Sequence, residues 1–125
     1  KNISILHCTS EYPAPMDEIN LNVINSLRTA FEVEVGYSDH TMGIEVPIAA
    51  VTLGATVIEK HFTLDRTMVG PDHTASLEPD GMRKLNRDLK NVYKAMNFKT
   101  TEILDVEQVQ RKKLKLEFYR LFWKI

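Results

Sequence analysis

Val57-Ile58-Glu59-Lys60-His61-Phe62-Thr63 is a short run of β-forming residues interrupted by charge, and the reading of its alternation decides the fold. With a period of two, Val57, Glu59, His61 and Thr63 share one face of an extended strand, and Ile58, Lys60 and Phe62 share the other. A face that sets a glutamate and a histidine beside a valine is not plain core, because unpaired charge is costly to bury. It makes sense if Glu59 and His61 point into a polar, ligand-filled centre. Tyr37-Ser38-Asp39-His40-Thr41 has the same shape: a β segment gives way to a loop at a histidine, with Ser38 and His40 on one parity. In parallel α/β folds the carboxyl ends of strands hold substrates and metals. Two neutral imidazoles from neighbouring strand ends, with coordination positions left open, suit a catalytic divalent cation. The competing reading is two unrelated histidines, hydrogen-bonded in a core or at a rim. For Glu59 the competitor is a structural ion pair with an inward-facing lysine or arginine.

The sequence on either side alternates strands with helices. Ile3-Ser4-Ile5-Leu6-His7-Cys8-Thr9 reads as a buried strand, followed by the proline-stiffened loop Glu11-Tyr12-Pro13-Ala14-Pro15. Leu21, Ile24, Leu27 and Phe31 recur at helical spacing and predict a helix over Asn20–Phe31. Val33–Ser38 is the second strand. A second helix is expected over Glu45–Leu53, with Pro47 in its first turn and Gly54 as its stop. Thr56–Leu64 is the third strand, and a polar loop from Asp65 to Ser76 leads to a third helix opening near Pro79. In that helix Glu78 and Asp80 complement the N-terminal dipole, while Met82, Leu85, Leu89, Val92 and Met96 form the apolar stripe. The order βαβαβα predicts an α/β fold with parallel strands and right-handed crossovers. Three such units do not close a barrel, but their number and order are compatible with three-eighths of one.

A chain of 125 residues is enough for one modest domain. Hydrophobic and charged contents of 43% and 26% indicate a soluble globular protein. A net charge of −1 and a pI near 6.5 give no sign of a nucleic-acid binder. No apolar run approaches the roughly 20 residues of a membrane span, and a signal-peptide pattern is lacking. The single cysteine, Cys8, cannot form an internal disulfide and fits a reducing cytoplasm. Lys1-Asn2 runs straight into a strand without a starting methionine, which predicts a chain cut from something longer.

Charge is uneven along the chain. Through Phe98 there are 9 basic and 13 acidic residues, net −4; from Lys99 onward there are 7 and 4, net +3. A boundary near Asn97 therefore divides a 1–97 α/β part from a 98–125 tail. The tail carries Arg111-Lys112-Lys113-Leu114-Lys115 and four of the ten aromatics, among them Phe118, Phe122 and Trp123. It reads as a basic amphipathic helix, expected to be a packing helix or a terminus not matched to the rest of the fold; a membrane-surface or partner-docking role is the alternative.

Four strings carry a resemblance. They are Leu6-His7-Cys8-Thr9-Ser10-Glu11-Tyr12-Pro13-Ala14-Pro15, Gly36-Tyr37-Ser38-Asp39-His40-Thr41-Met42-Gly43, Gly54-Ala55-Thr56-Val57-Ile58-Glu59-Lys60-His61-Phe62-Thr63-Leu64-Asp65 and Gly70-Pro71-Asp72-His73-Thr74-Ala75-Ser76-Leu77-Glu78-Pro79. Long, uncommon and in the right order, they closely resemble the sialic acid synthase (N-acetylneuraminate synthase) family from Ile3 to Met96. The resemblance implies a TIM (β/α)8 barrel, of which this chain looks like the sixth, seventh and eighth βα units. It also implies a metal-dependent condensation of phosphoenolpyruvate with an N-acetylmannosamine-type sugar, giving a nine-carbon 2-keto acid and releasing phosphate. Sialic, legionaminic and pseudaminic acid synthases look alike in these strings, so the sugar stays open.

Residue by residue, the resemblance makes His40 and His61 ligands of a divalent metal, typically manganese or magnesium. Glu59 orients or deprotonates the attacking water. Tyr12 and Asp72 match sugar-contacting positions, Ser38 a position near the phosphoenolpyruvate phosphate, and Ser10 a substrate position that is often asparagine in bacterial members. His73 is expected at the rim, and Lys60 faces the helices in an ion pair. The expected partners are the two substrates and further copies of the chain, with no nucleic acid and no membrane. The tail does not resemble the antifreeze-like domain that follows the barrel in the family, which puts that domain's cross-subunit contact in doubt. Two other readings remain: a non-catalytic barrel fragment that self-associates around a vestigial metal site, and a different barrel enzyme using an Asp-His loop. On its own the chain is expected to be inactive and to associate through its open strand edges and aromatic tail.

Overall fold

The computed structural model describes residues 3–122, with side chains described through Lys115. Three parallel strands form one sheet in chain order: β1 (Ser4–Cys8), β2 (Glu34–Asp39) and β3 (Ile58–Lys60). Leu6 pairs with Gly36 and Cys8 with Ser38; Ser38 pairs in turn with Glu59, and Asp39 with Lys60. Helices α1 (Val23–Phe31), α2 (Glu45–Thr52) and α3 (Pro79–Ala95) follow the three strands. The βαβαβα order and the parallel sheet thus stand as the alternation predicts.

Helices α1 and α2 lie on one face of the sheet, and α3 packs against α2. Ile24, Val35, Tyr37 and Ala50 form the fully covered centre of the core between them. Helix ends are tied to one another. Glu32, in the left-handed region at φ 52, closes α1 through its N–H to the Arg28 carbonyl. The Arg28 guanidinium then donates to the Leu53 carbonyl at the end of α2, at 2.7 Å. Gly54 turns the chain out of α2 at φ +93, where a side chain would be strained and would run into Arg28.

Two expected boundaries move. Helix α1 starts at Val23 rather than Asn20, because Asn20 sits at φ 52 and cannot enter a right-handed helix. Strand β3 stops at Lys60, short of the expected Leu64. Its partner β2 ends at Asp39, so the backbone beyond it changes partner: Leu77 donates to the His61 carbonyl at 3.0 Å, and Thr63 donates to that of Leu77 at 2.9 Å. The tail does form a helix, α4 (Asp105–Phe122), whose first turn is held by Glu107 between Lys99 Nζ and the Leu104 N–H. Val106, Val109 and Leu114 are all exposed. The side chains of Phe118 and Phe122, and all of Trp123, lie outside the described residues. Among the described residues no helix is long and apolar enough to cross a membrane.

Candidate active site

The register of β2 against β3 builds the site. Asp39 and Lys60 are paired positions, so His40 and His61, one residue further along each chain, emerge side by side above the strand ends. Their ring centroids are 5.0 Å apart with planes at 86°. The loop after β1 brings Tyr12 over both rings: it stacks on His61 at 4.1 Å and meets His40 edge-on at 5.4 Å. Two contacts hold this loop down. The Ala14 N–H donates to the His40 carbonyl at 2.8 Å. The Tyr12 hydroxyl lies 3.2 Å from Ser76 Oγ, and Ser76 Oγ donates to the Asp72 carbonyl at 2.7 Å.

The two imidazoles are differently supported. Nδ1 of His40 is buried and has no hydrogen-bond partner among the described residues, while its Nε2 faces Cys8 Sγ at 3.9 Å. Nδ1 of His61 lies 3.7 Å from Asp72 Oδ2, beyond a hydrogen bond but close enough to orient the ring electrostatically. A desolvated, unbonded ring nitrogen is unfavourable in a merely structural histidine, and it is what a cation requires of a ligand. The donor set therefore fits a divalent metal of intermediate softness. Among the described residues no group of three or more His, Cys, Asp or Glu gathers as a cage, so such an ion would take its other ligands from substrate and solvent.

Glu59 stands one residue before the Lys60 that ends β3, exposed on the sheet face away from the helices. The Ser38 hydroxyl donates to Glu59 Oε1 at 2.6 Å across the paired strands. Among the described residues Glu59 has no cationic partner, so the ion-pair reading finds no support in them. Ser10 is exposed and makes no hydrogen bond among the described residues. His73 is half-buried and holds the β3–α3 loop together through Thr63 Oγ1 at 2.7 Å. The fold thus brings Tyr12, His40, His61 and Asp72 together, with Ser38 and Glu59 just below them on the same sheet face.

Two partners escaped sequence reasoning. Ser76, which holds the Tyr12 hydroxyl, is 64 residues away in sequence and carries no periodic signal. The partner of Lys60 is Asp39: Nζ and Oδ2 lie 2.6 Å apart, with side chains 3% and 0% exposed. Asp39 Oδ1 also accepts from the Tyr37 hydroxyl at 3.1 Å, the Thr41 N–H at 3.0 Å and the Thr41 hydroxyl at 2.8 Å. Burial, with the Asp39 charge beside it, pushes the Tyr37 phenol above its ordinary range and keeps it a neutral donor. Parity contained a signal for this network, since Tyr37 and Asp39 on one strand and Lys60 on the next all face the helices.

A profile of the NeuB family matches residues 1–101. The chain is 58% identical over 96 residues to the N,N'-diacetyllegionaminic acid synthase of Campylobacter jejuni, covering 77% of this chain and 29% of that protein. It is 42% identical over 114 residues to human N-acetylneuraminate-9-phosphate synthase, covering 90% of this chain and 32% of that one. Among solved structures, the N-acetylneuraminic acid synthetase of Leptospira borgpetersenii, in complex with citrate, superposes with a TM-score of 0.75 at 36% identity, over 98% of this chain and 41% of that chain. The chain thus spans about a third or less of the curated relatives it matches.

Proposed function

The chain belongs to the NeuB family, and from that premise we propose that it supplies the metal- and sugar-binding strand ends of a sialic-acid-type synthase. In this reading β1 to β3 are consecutive staves of a (β/α)8 barrel, and the uncovered sheet face looks into its centre. The reaction joins phosphoenolpyruvate to the aldehyde of an N-acetylmannosamine-type sugar and releases phosphate. The observation that carries the reading is the pair of imidazoles 5.0 Å apart at adjacent parallel strand ends, one with a buried and unbonded nitrogen.

His40 and His61 would hold a divalent cation, manganese or magnesium, whose chemistry when bound is Lewis-acid polarisation of the sugar's carbonyl oxygen. The remaining work falls to this chain's own groups. Glu59 accepts a proton from the water that adds to the former enol carbon, and the Ser38 hydroxyl fixes the carboxylate that does so. By the family resemblance Ser38 would also stand near the phosphoenolpyruvate phosphate, and Ser10 would contact substrate. Tyr12 forms an aromatic wall, and Asp72, whose side chain is 55% exposed, offers a carboxylate to sugar hydroxyls while steadying His61. The single cysteine and the composition support a cytoplasmic setting.

The complete protein, incubated with phosphoenolpyruvate and a panel of mono- and diacetamido sugars, tests the proposal. Phosphate release matched by keto-acid formation, lost on chelation and restored by manganese, is expected. Phosphate release with no dependence on any sugar would refute it.

A further inference from the structure

We infer that the buried Asp39–Lys60 pair is a positioning device that sets the spacing of His40 and His61. The inference rests on the metal-ligand reading above. Lys60 Nζ reaches two points that bracket His40: the Asp39 carboxylate at 2.6 Å and the Thr41 carbonyl at 2.7 Å. Lys60 is itself the residue before His61. One ammonium group therefore fixes the chain on both sides of one imidazole and immediately before the other. Asp39 closes the remaining freedom, because its Oδ1 takes the Thr41 N–H and hydroxyl and so holds the turn that carries His40.

The placement argues against two simpler roles. Lys60 does not act on substrate, since its side chain lies on the helix-facing side of the sheet at 3% exposure, opposite Glu59 and the imidazoles. Nor does stability alone account for it. A buried ion pair is a poor source of folding energy, and apolar replacement of such pairs is often neutral or better. What an ammonium at this point does, and an apolar side chain cannot, is bind two separate stretches of backbone in one geometry. The Asp39–Lys60 pair is the last of the β2–β3 ladder, so the clasp acts where strand pairing runs out and the turns that carry the imidazoles begin.

The test uses the full chain and manganese titrated against it, followed by electron paramagnetic resonance of the free ion, with far-UV circular dichroism as the fold readout. The deciding variant is the double substitution Asp39→Asn with Lys60→Met. It leaves no unpaired buried charge and keeps an oxygen for Tyr37 and Thr41, but it removes the clasp. Manganese affinity is expected to fall about 10–100-fold with dichroism unchanged, the range typical of groups that orient metal ligands. Affinity within about twofold of the unsubstituted chain would overturn the positioning role, as would loss of the fold in this variant, which would make the pair a folding element. His40→Ala separates this inference from its premise. If the unsubstituted chain binds no manganese, or His40→Ala binds it equally well, the ligand reading and the inference fail together. If only the double variant matches the unsubstituted chain, the inference fails alone.

Discussion

On the sheet face turned toward α1 and α2, Val35, Tyr37 and Asp39 are at most 1% exposed, whereas on the opposite face Leu6 is 38% and Val57 40% exposed. The same three strands build both faces, and alternate residues go to each. The covered face is complete: its one carboxylate and one ammonium satisfy each other, and its phenol has an acceptor. The open face holds Glu59, the exposed Cys8 and, above it, a buried imidazole nitrogen that has no hydrogen-bond partner among the described residues. The two faces therefore differ: one holds its polar groups in mutual contact, and the other carries the groups of the proposed site. A shift of one position along a strand moves a residue from one face to the other.

That division can be broken or sharpened by substitution. The largest effect belongs to the open face: on the proposed ligand assignment, His40→Ala or His61→Ala in the complete protein should abolish metal-dependent condensation while dichroism stays native, because each removes one of the two proposed ligands. Near-normal turnover with manganese present would remove the ligand assignment. Glu59→Gln keeps the shape and an acceptor for Ser38, so turnover should fall by about 10²–10⁴ with metal affinity little changed. An equal loss of manganese binding would make Glu59 a support of the metal rather than a base.

The covered face should respond in the opposite sense. Ile24→Ala, at a fully buried position, should lower unfolding free energy by about 2–5 kcal/mol yet leave manganese affinity unchanged in the folded fraction. A coupled loss of both would show that the faces are not independent. Gly36 stands between the two, because a β-carbon there would come within 2.6 Å of the Val57 carbonyl and 2.8 Å of Leu6. Gly36→Ala should cost about 1–3 kcal/mol of stability through overpacking, visible in urea titration; a neutral result would mean the strands can part without loss.

The smallest effect is expected at the exposed start of α3. Hydrogen bonding to Lys84, with that charge and Arg83 nearby, lowers the Asp80 carboxyl below its usual value. A depressed folded value contributes stability above the unfolded value and loses it as pH falls through the folded one. Asp80→Asn should thus melt slightly earlier than the unsubstituted chain at neutral pH and equally in strong acid. An undiminished difference in acid would point to a cause other than charge.

Most of the architecture was legible because its signals are local. Pro47 and Gly54 bracket α2, and Pro79 opens α3, for reasons that belong to those residues alone. The site was legible where parity governs it, which placed Ser38, Glu59 and both histidines on one side. What escaped depends on partners distant in sequence. Strand β3 ends early because β2 offers no further edge, and Tyr12 is held by Ser76 across 64 positions. The tail was legible only as a helix, α4, because charge and aromatic content do not determine which way each side chain faces.

The anchoring of the Tyr12 loop has a consequence for the timing of ligand entry. With Ala14 bonded to the end of β2 and the Tyr12 hydroxyl fixed to Ser76, the aromatic ring is held over His61 by contacts within the chain itself. Such a loop is a wall rather than a gate. The order needed around the imidazoles is established during folding, so a ligand has little further loop entropy to remove on arrival. Association should then be a single step that is first order in ligand, free of the rate plateau that a closing loop imposes.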